Sequence, residues 1–207
     1  MPEATPRSGS AAIIGRPNVG KSTLLNSLLG QKLAIATSKP GTTRSVLLGV
    51  YVQQEPPTQI AFIDTPGMHR PHNALGRALV EDAKAGLASA DVIVFVTEIG
   101  KQGGRLTFPV PGDAEILEQL RDFKGKVVLV INKVDRLKEK ALLLPLIERA
   151  SKAFDFAAVV PVSALRKDNM DSLVRALREQ LPEGLAYDPE MLTDKPQRFF
   201  ASELIRE

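Results

Sequence analysis

Short apolar runs alternate with amphipathic stretches along these 207 residues, and the alternation predicts an α/β domain. Runs rich in Val, Ile, Leu and Ala predict strands at about 11–14, 46–54, 58–63, 91–97, 126–131 and 157–162. Between them, apolar residues recurring every three or four positions predict helices near 20–30, 73–89, 113–123, 138–153 and 169–181. Glu55, Pro56 and Pro57 leave so short a connection that the second and third strands should form a hairpin. One strand then runs antiparallel in an otherwise parallel sheet, and the pattern is that of a doubly wound, six-stranded, mostly parallel fold.

The turn before the first helix carries chemistry. Gly15-Arg16-Pro17-Asn18-Val19-Gly20-Lys21-Ser22 fits the pattern GxxxxGK[ST] and follows the apolar run Ala11-Ala12-Ile13-Ile14, the strand that pattern requires. Glycines at 15 and 20 let the backbone curl, so that N–H groups from Gly15 through Asn18, Val19 and Gly20 to Lys21, Ser22 and Thr23 converge on phosphate oxygens. Lys21 is spaced to reach the β- and γ-phosphates, and Ser22 offers a hydroxyl to Mg²⁺. Alone, this segment says only nucleoside triphosphate; the bland alternative is a glycine-rich turn with no ligand.

Four further segments occur in one order and narrow that reading. Asn132-Lys133-Val134-Asp135 ends the run Val127–Ile131, at the carboxyl end of a buried strand, where open α/β sheets bind ligands. A carboxylate such as Asp135 accepts two hydrogen bonds at once, and guanine offers an N1–H beside a 2-amino group where adenine offers no such pair. Asp64-Thr65-Pro66-Gly67 ends the third strand, placing a carboxylate near the metal and the Gly67 N–H near the γ-phosphate. Between it and the phosphate loop lies Pro40-Gly41-Thr42-Thr43-Arg44, a loop whose threonine meets Mg²⁺ only when a third phosphate holds it closed. Ser163-Ala164-Leu165, after the last strand, can back the base with main-chain N–H groups.

Composition changes the picture little. The absence of cysteine removes disulfides, thiolate metal sites and cysteine nucleophiles, which suits a reducing compartment. Met1 to Ser10 has no apolar signal core and reads as a disordered polar lead-in, and no apolar run is long enough to span a bilayer. A net charge of +3 is too slight to point to nucleic acid by itself.

On these segments the chain resembles the translation-factor-like GTPases, and within them the bacterial Era family, from Ala11 to Glu207. The resemblance rests on Gly15 through Gly30, Gln31-Lys32-Leu33, Lys39 to Arg44, Asp64 through His69, Asn132 through Asp135, Ser163 to Leu165, and Asp194 through Phe199. Double-domain GTPases of ribosome assembly are similar in the first of these, but Thr42-Thr43-Arg44 with Pro66-Gly67-Met68-His69 and Arg198 to Glu203 is more Era-like. The resemblance implies a Ras-like P-loop GTPase fold over 11–181, GTP as substrate and Mg²⁺ held by Ser22, Thr43 and, through water, Asp64. It also implies Lys21, Thr43 and Gly67 at the reacting phosphate, and Asn132, Lys133, Asp135, Ser163, Ala164 and Leu165 around the base. A cytoplasmic role in assembly of the small ribosomal subunit, with its ribosomal RNA as partner and peripheral association with the inner membrane, follows from the same resemblance.

Several residues carry a sharp and a bland reading side by side. Met68 stands where many regulatory GTPases carry a water-orienting glutamine, a task a thioether cannot perform. The family implies catalysis by switch-loop backbone and, in several relatives, a potassium ion held by an asparagine that Asn18 matches; the alternative is that Asn18 only shapes the turn. Arg44 could approach phosphate but reads rather as solvated or as an RNA or partner contact, and His69 and His72 as switch-loop residues rather than a metal pair. Gly100-Lys101-Gln102-Gly103 mimics the GxxG clamp of KH domains but follows a strand, so the loop 99–112 reads as disorder or a contact surface. Residues 182–207 read as a linker and the first helix of an RNA-binding KH domain that is otherwise absent, whether cut or naturally short. The expected function is a GTP-hydrolysing switch; the rival is a GTP-binding scaffold that signals by loop order without turnover.

Overall fold

Ala11 and Ile13 face one way from the first strand and Ala12 and Ile14 the other, and all four are buried in two separate cores. A strand apolar on both faces sits at the centre of a sheet covered by helices on both sides. The computed structural model describes residues 4–30, 47–64, 90–102, 105–121, 123–137 and 139–185. Its strands are β1 (Arg7–Ile14), β2 (Leu47–Gln53), β3 (Thr58–Asp64), β4 (Val92–Glu98), β5 (Gly100–Gln102), β6 (Arg105–Thr107), β7 (Lys126–Asn132) and β8 (Ala158–Pro161). Six of them form one sheet in the order β2-β3-β1-β4-β7-β8, with β2 antiparallel to β3 and the remaining neighbours parallel.

The helices are α1 (Lys21–Leu29), α2 (Pro111–Leu120), α3 (Leu143–Ala153) and α4 (Met170–Arg178). Leu24, Leu25 and Leu28 of α1 and Leu173, Val174 and Leu177 of α4 close over Ala11 and Ile13. On the opposite face Ile116, Leu117 and Leu120 of α2 join Leu146 and Ala150 of α3 over Ala12 and Ile14. Each helix buries residues three or four apart, the spacing of one face. The mostly parallel six-stranded sheet and its hairpin match the expected doubly wound class.

Three expectations are corrected. First, β1 begins at Arg7, so the last four residues of the supposed disordered lead-in are strand. Their backbone is paired: Arg7 to Ile13 run in register with Thr58 to Asp64, and the Ser8 N–H donates to the Pro182 carbonyl at 3.2 Å. Arg7 also donates to the carbonyls of Glu179 and Leu181, and the Gly184 N–H donates to Pro6, so residues 182–184 are tied to the first strand rather than a free linker.

Second, the loop 99–112 is ordered where it is described. β5 and β6 form an antiparallel hairpin, Phe108 is buried against Phe95 and Phe156, and Arg149 of α3 donates to the Leu106 carbonyl at 2.7 Å. Aromatic burial and a cross-element hydrogen bond replace the core that a run of glycines and polar residues lacks. Third, the fourth expected helix starts at Leu143 instead of 138, after 3₁₀ turns at Val134–Arg136 and Lys140–Leu142. Pro145 explains the delay: within the first turn its missing N–H costs nothing, whereas further inside a longer helix it would break a hydrogen bond and clash with the preceding turn. The expected helix at 73–89 and the segment 186–207 lie outside the described residues.

Candidate functional site

β1, β3, β4, β7 and β8 all end on one edge of the sheet, and the strand order reverses beside β1, the place where open α/β sheets accept ligands. From Ile14 the chain turns through Gly15–Gly20 into α1. Gly15 has φ of 145°, and a Cβ there would stand 2.1 Å from the Val96 carbonyl oxygen. Asn18 follows with φ of 63° and Gly20 with φ of 99°. Val19, between them, is fully buried and pins the loop to the core.

These left-handed residues bring backbone N–H groups to the inside of the curl, a concavity suited to an anion. The α1 N-terminus opens into it with no side-chain cap and no acidic residue in its first turn. The positive end of the helix is therefore left for a negative ligand to meet. Lys21 donates to the carbonyls of Gly15 at 2.7 Å and Arg16 at 2.8 Å, so its ammonium folds back over the loop it leaves. Ser22 and Thr23 are exposed at the helix start.

The second half of the site is built around Asn132, which is 2% exposed at the end of β7. Its Nδ2 donates to the Val19 carbonyl at 2.9 Å, and its Oδ1 accepts from the N–H of Lys133 at 2.8 Å and of Ala164 at 3.0 Å. One carboxamide thus joins the glycine loop, its own turn and the segment Ser163–Leu165. Gly20 is the counterpart of that contact, since a Cβ there would lie 2.4 Å from the same Nδ2.

Lys133 adopts φ of 64° and sends its ammonium to the Asn18 carbonyl at 2.6 Å and to Glu98 at 2.7 Å. Arg136 approaches the same Glu98 carboxylate at 3.7 Å. Glu98, at the end of β4, was not singled out in the sequence; an acidic residue closing a buried strand was its only signal.

Asp135 lies in the 3₁₀ turn and accepts the Ser163 hydroxyl at 2.5 Å. That bond is the main reason its carboxyl is held below the ordinary value; its own backbone N–H and the charges of Arg166 and Arg136 add to the effect, and partial burial opposes it. Ser163 is itself placed by a pair of backbone bonds with Asp168, at 3.2 and 3.0 Å. Leu165 is 77% exposed beside this turn.

The structure therefore brings together Gly15, Asn18, Val19, Gly20, Lys21, Ser22 and Thr23 with Asn132, Lys133, Asp135, Ser163, Ala164 and Leu165. Thr43, Arg44, Gly67, Met68, His69 and His72 lie outside the described residues; Asp64 ends β3, and only its backbone is described.

A family model described as a 50S ribosome-binding GTPase matches residues 10–133. The GTPase Era of Clostridioides difficile (strain 630) is 43% identical over 202 residues, which are 97% of this chain and 65% of that protein. The chain thus spans about two thirds of the length of this curated relative. Among solved structures, an Aquifex aeolicus Era point variant bound to GDP·AlF4⁻ superposes with a TM-score of 0.76 at 41% identity, covering 97% of this chain and 66% of that one. An Era in complex with MgGDPNP and nucleotides 1506–1542 of 16S ribosomal RNA matches with the same TM-score at 42% identity, covering 98% of this chain and 66% of that one. Among the described residues, no helix is long and apolar enough to cross a membrane.

Proposed function

Because this chain belongs to the family described as 50S ribosome-binding GTPases, and is similar to Era GTPases over 97% of its length, we propose that it binds guanine nucleotides and hydrolyses GTP as an Era-type switch. The observation that carries the proposal is the Asn132 carboxamide, which holds an anion-accepting loop and a base-accepting carboxylate in one fixed relation.

In this reading the N–H groups of Gly15 to Thr23 and the Lys21 ammonium take the phosphates. Asp135 accepts the guanine N1–H and 2-amino group, and Ser163 keeps it ionised. Adenine leaves that carboxylate without donors and is rejected. Ala164 and Leu165 border the base, with the Lys133 stem opposite.

An exposed Ser22 hydroxyl at the edge of an anion-accepting loop suits a hard cation, and Ser22, Thr43 and, through water, Asp64 would hold Mg²⁺. When bound, that ion would neutralise negative charge on the nucleotide phosphates. Lys21, Thr43 and the Gly67 N–H complete the surroundings of the γ-phosphate, and the loop 40–44 orders only while that phosphate is present.

We extend the proposal to a potassium ion beside Asn18. The residue is exposed, Lys133 holds its main-chain carbonyl, and its side-chain amide oxygen would take the ion. For the whole protein the reading is a switch that engages small-subunit ribosomal RNA, supported by the 16S RNA in the similar Era complex.

Phosphate release from GTP and from ATP, in equal KCl and NaCl with MgCl2, tests all of this. GTP should turn over, faster in potassium, and ATP should not. Tight GTP binding without release would favour the non-hydrolysing scaffold, equal rates in the two salts would remove the potassium ion, and no guanine nucleotide binding would overturn the proposal.

A further inference from the structure

Asp113 is 1% exposed in the first turn of α2, far in sequence from the loop it serves. A buried carboxylate is costly unless both its oxygens are matched. Here both are. Oδ1 accepts from Nε of Arg16 at 2.7 Å, and Oδ2 accepts from the Thr97 hydroxyl at 2.6 Å. The positive end of α2 adds to this compensation.

Both anchors belong to packed elements. α2 is held in the core through Ile116, Leu117 and Leu120, and Thr97 belongs to β4 in the middle of the sheet. Gly112, just before Asp113, lets the Arg16 stem lie against the helix start, since a Cβ there would stand 2.5 Å from the Arg16 Cδ. Arg16 in turn is the second residue of the phosphate loop, and its carbonyl is one of the two that accept the Lys21 ammonium.

We propose that Asp113 is a positioning residue for the phosphate loop: through Arg16 it ties the first turn of the loop, and with it the Lys21 ammonium, to the sheet and α2. The arginine in the loop is thereby a strut to the scaffold rather than a phosphate ligand. A charge-assisted, buried hydrogen bond of this kind gives both strength and direction. A loop released from it accepts phosphates less well, while the base site, held by Asn132 and Ser163, keeps its geometry.

This inference rests on the proposed guanine-nucleotide reading, and the experiment separates the two. GDP dissociation is followed with a fluorescent GDP analogue in the parent protein, Asp113→Asn, Arg16→Gln and the double variant, well below each melting temperature. Each single variant should release the analogue about tenfold faster, and the double variant no faster than the singles, because all three break one tether. The ratio of GDP to IDP affinities, which reads the 2-amino contact alone, should not change.

Lower melting temperatures with unaltered dissociation rates would make the pair merely structural and overturn the inference. Additive effects in the double variant, or an altered GDP to IDP ratio, would do so too. If Asp113→Asn does not fold, Arg16→Gln on the partly exposed partner decides the matter by the same dissociation rate and ratio. Failure of the parent protein to bind GDP would instead sink the nucleotide reading itself.

Discussion

The Asn132 side-chain amide donates to the Val19 carbonyl at 2.9 Å, across 113 positions of sequence. This bond makes one site of two segments, and it exists because Gly20 has no side chain to stand in its way. A polar group so buried is costly to leave unpaired, so loop and base turn are each held by the other's hydrogen bonds.

Gly20→Ala should therefore act twice. The new methyl would collide with the Asn132 amide, and φ of 99° is strained for any L side chain. A loss on the order of 1–3 kcal/mol of stability is expected in urea unfolding, together with loss of GDP binding by titration. Gly30→Ala is the control: φ is also positive, but nothing lies within 4 Å of its Cβ. Its cost should be about 1 kcal/mol with nucleotide binding intact.

Asp135→Asn should weaken GDP binding by more than about tenfold, or ~1.4 kcal/mol, and shift preference toward XDP, whose 2-oxo group accepts from an amide. Competition between the two diphosphates measures it. An unchanged preference for GDP would remove Asp135 from the base site.

The Ser163 hydroxyl is the chief cause of the lowered Asp135 carboxyl. A group depressed on folding contributes stability above its unfolded value and loses it as pH falls through the lower folded value. Ser163→Ala removes that cause, so the Asp135 carboxyl should titrate at higher pH. The acid limb of GDP binding should then move upward, by calorimetric titration over a descending pH series, with the neutral-pH preference for guanine kept. A limb that stays in place would show that Asp135 ionisation does not govern binding.

Phe108→Ala tests the hairpin of β5 and β6. Phe108 packs tilted against Phe95 at 6.4 Å and edge-to-face against Phe156 at 6.2 Å by ring centroids, and carries the end of the hairpin into the core. Its removal should cost ~3–5 kcal/mol in urea unfolding and raise amide exchange in Gly100–Gln102 and Arg105–Thr107. Leu165→Ala, at an exposed position, should change stability by no more than about 0.5 kcal/mol.

Local pattern was enough for the sheet, for the glycine loop and for the residues that end β7. Continuous apolar runs, the spacing of Gly15, Gly20 and Lys21, and the short turn at Pro56-Pro57 are properties of neighbours in sequence. Where the partner lies far along the chain, sequence was silent or misleading. Arg7 to Ser10 look like a polar tail, yet they are strand because β3 and the segment after α4 supply their hydrogen bonds. The run from Ile99 to Gly112 looks unstructured, yet Phe108 and Arg149 hold it. Asp113 looks like any surface acid at a helix start, and only packing buries it against Arg16 and Thr97. Residue type and spacing specify which groups can form a site. Which of them are occupied in holding the others still is decided by long-range contacts that no local window contains.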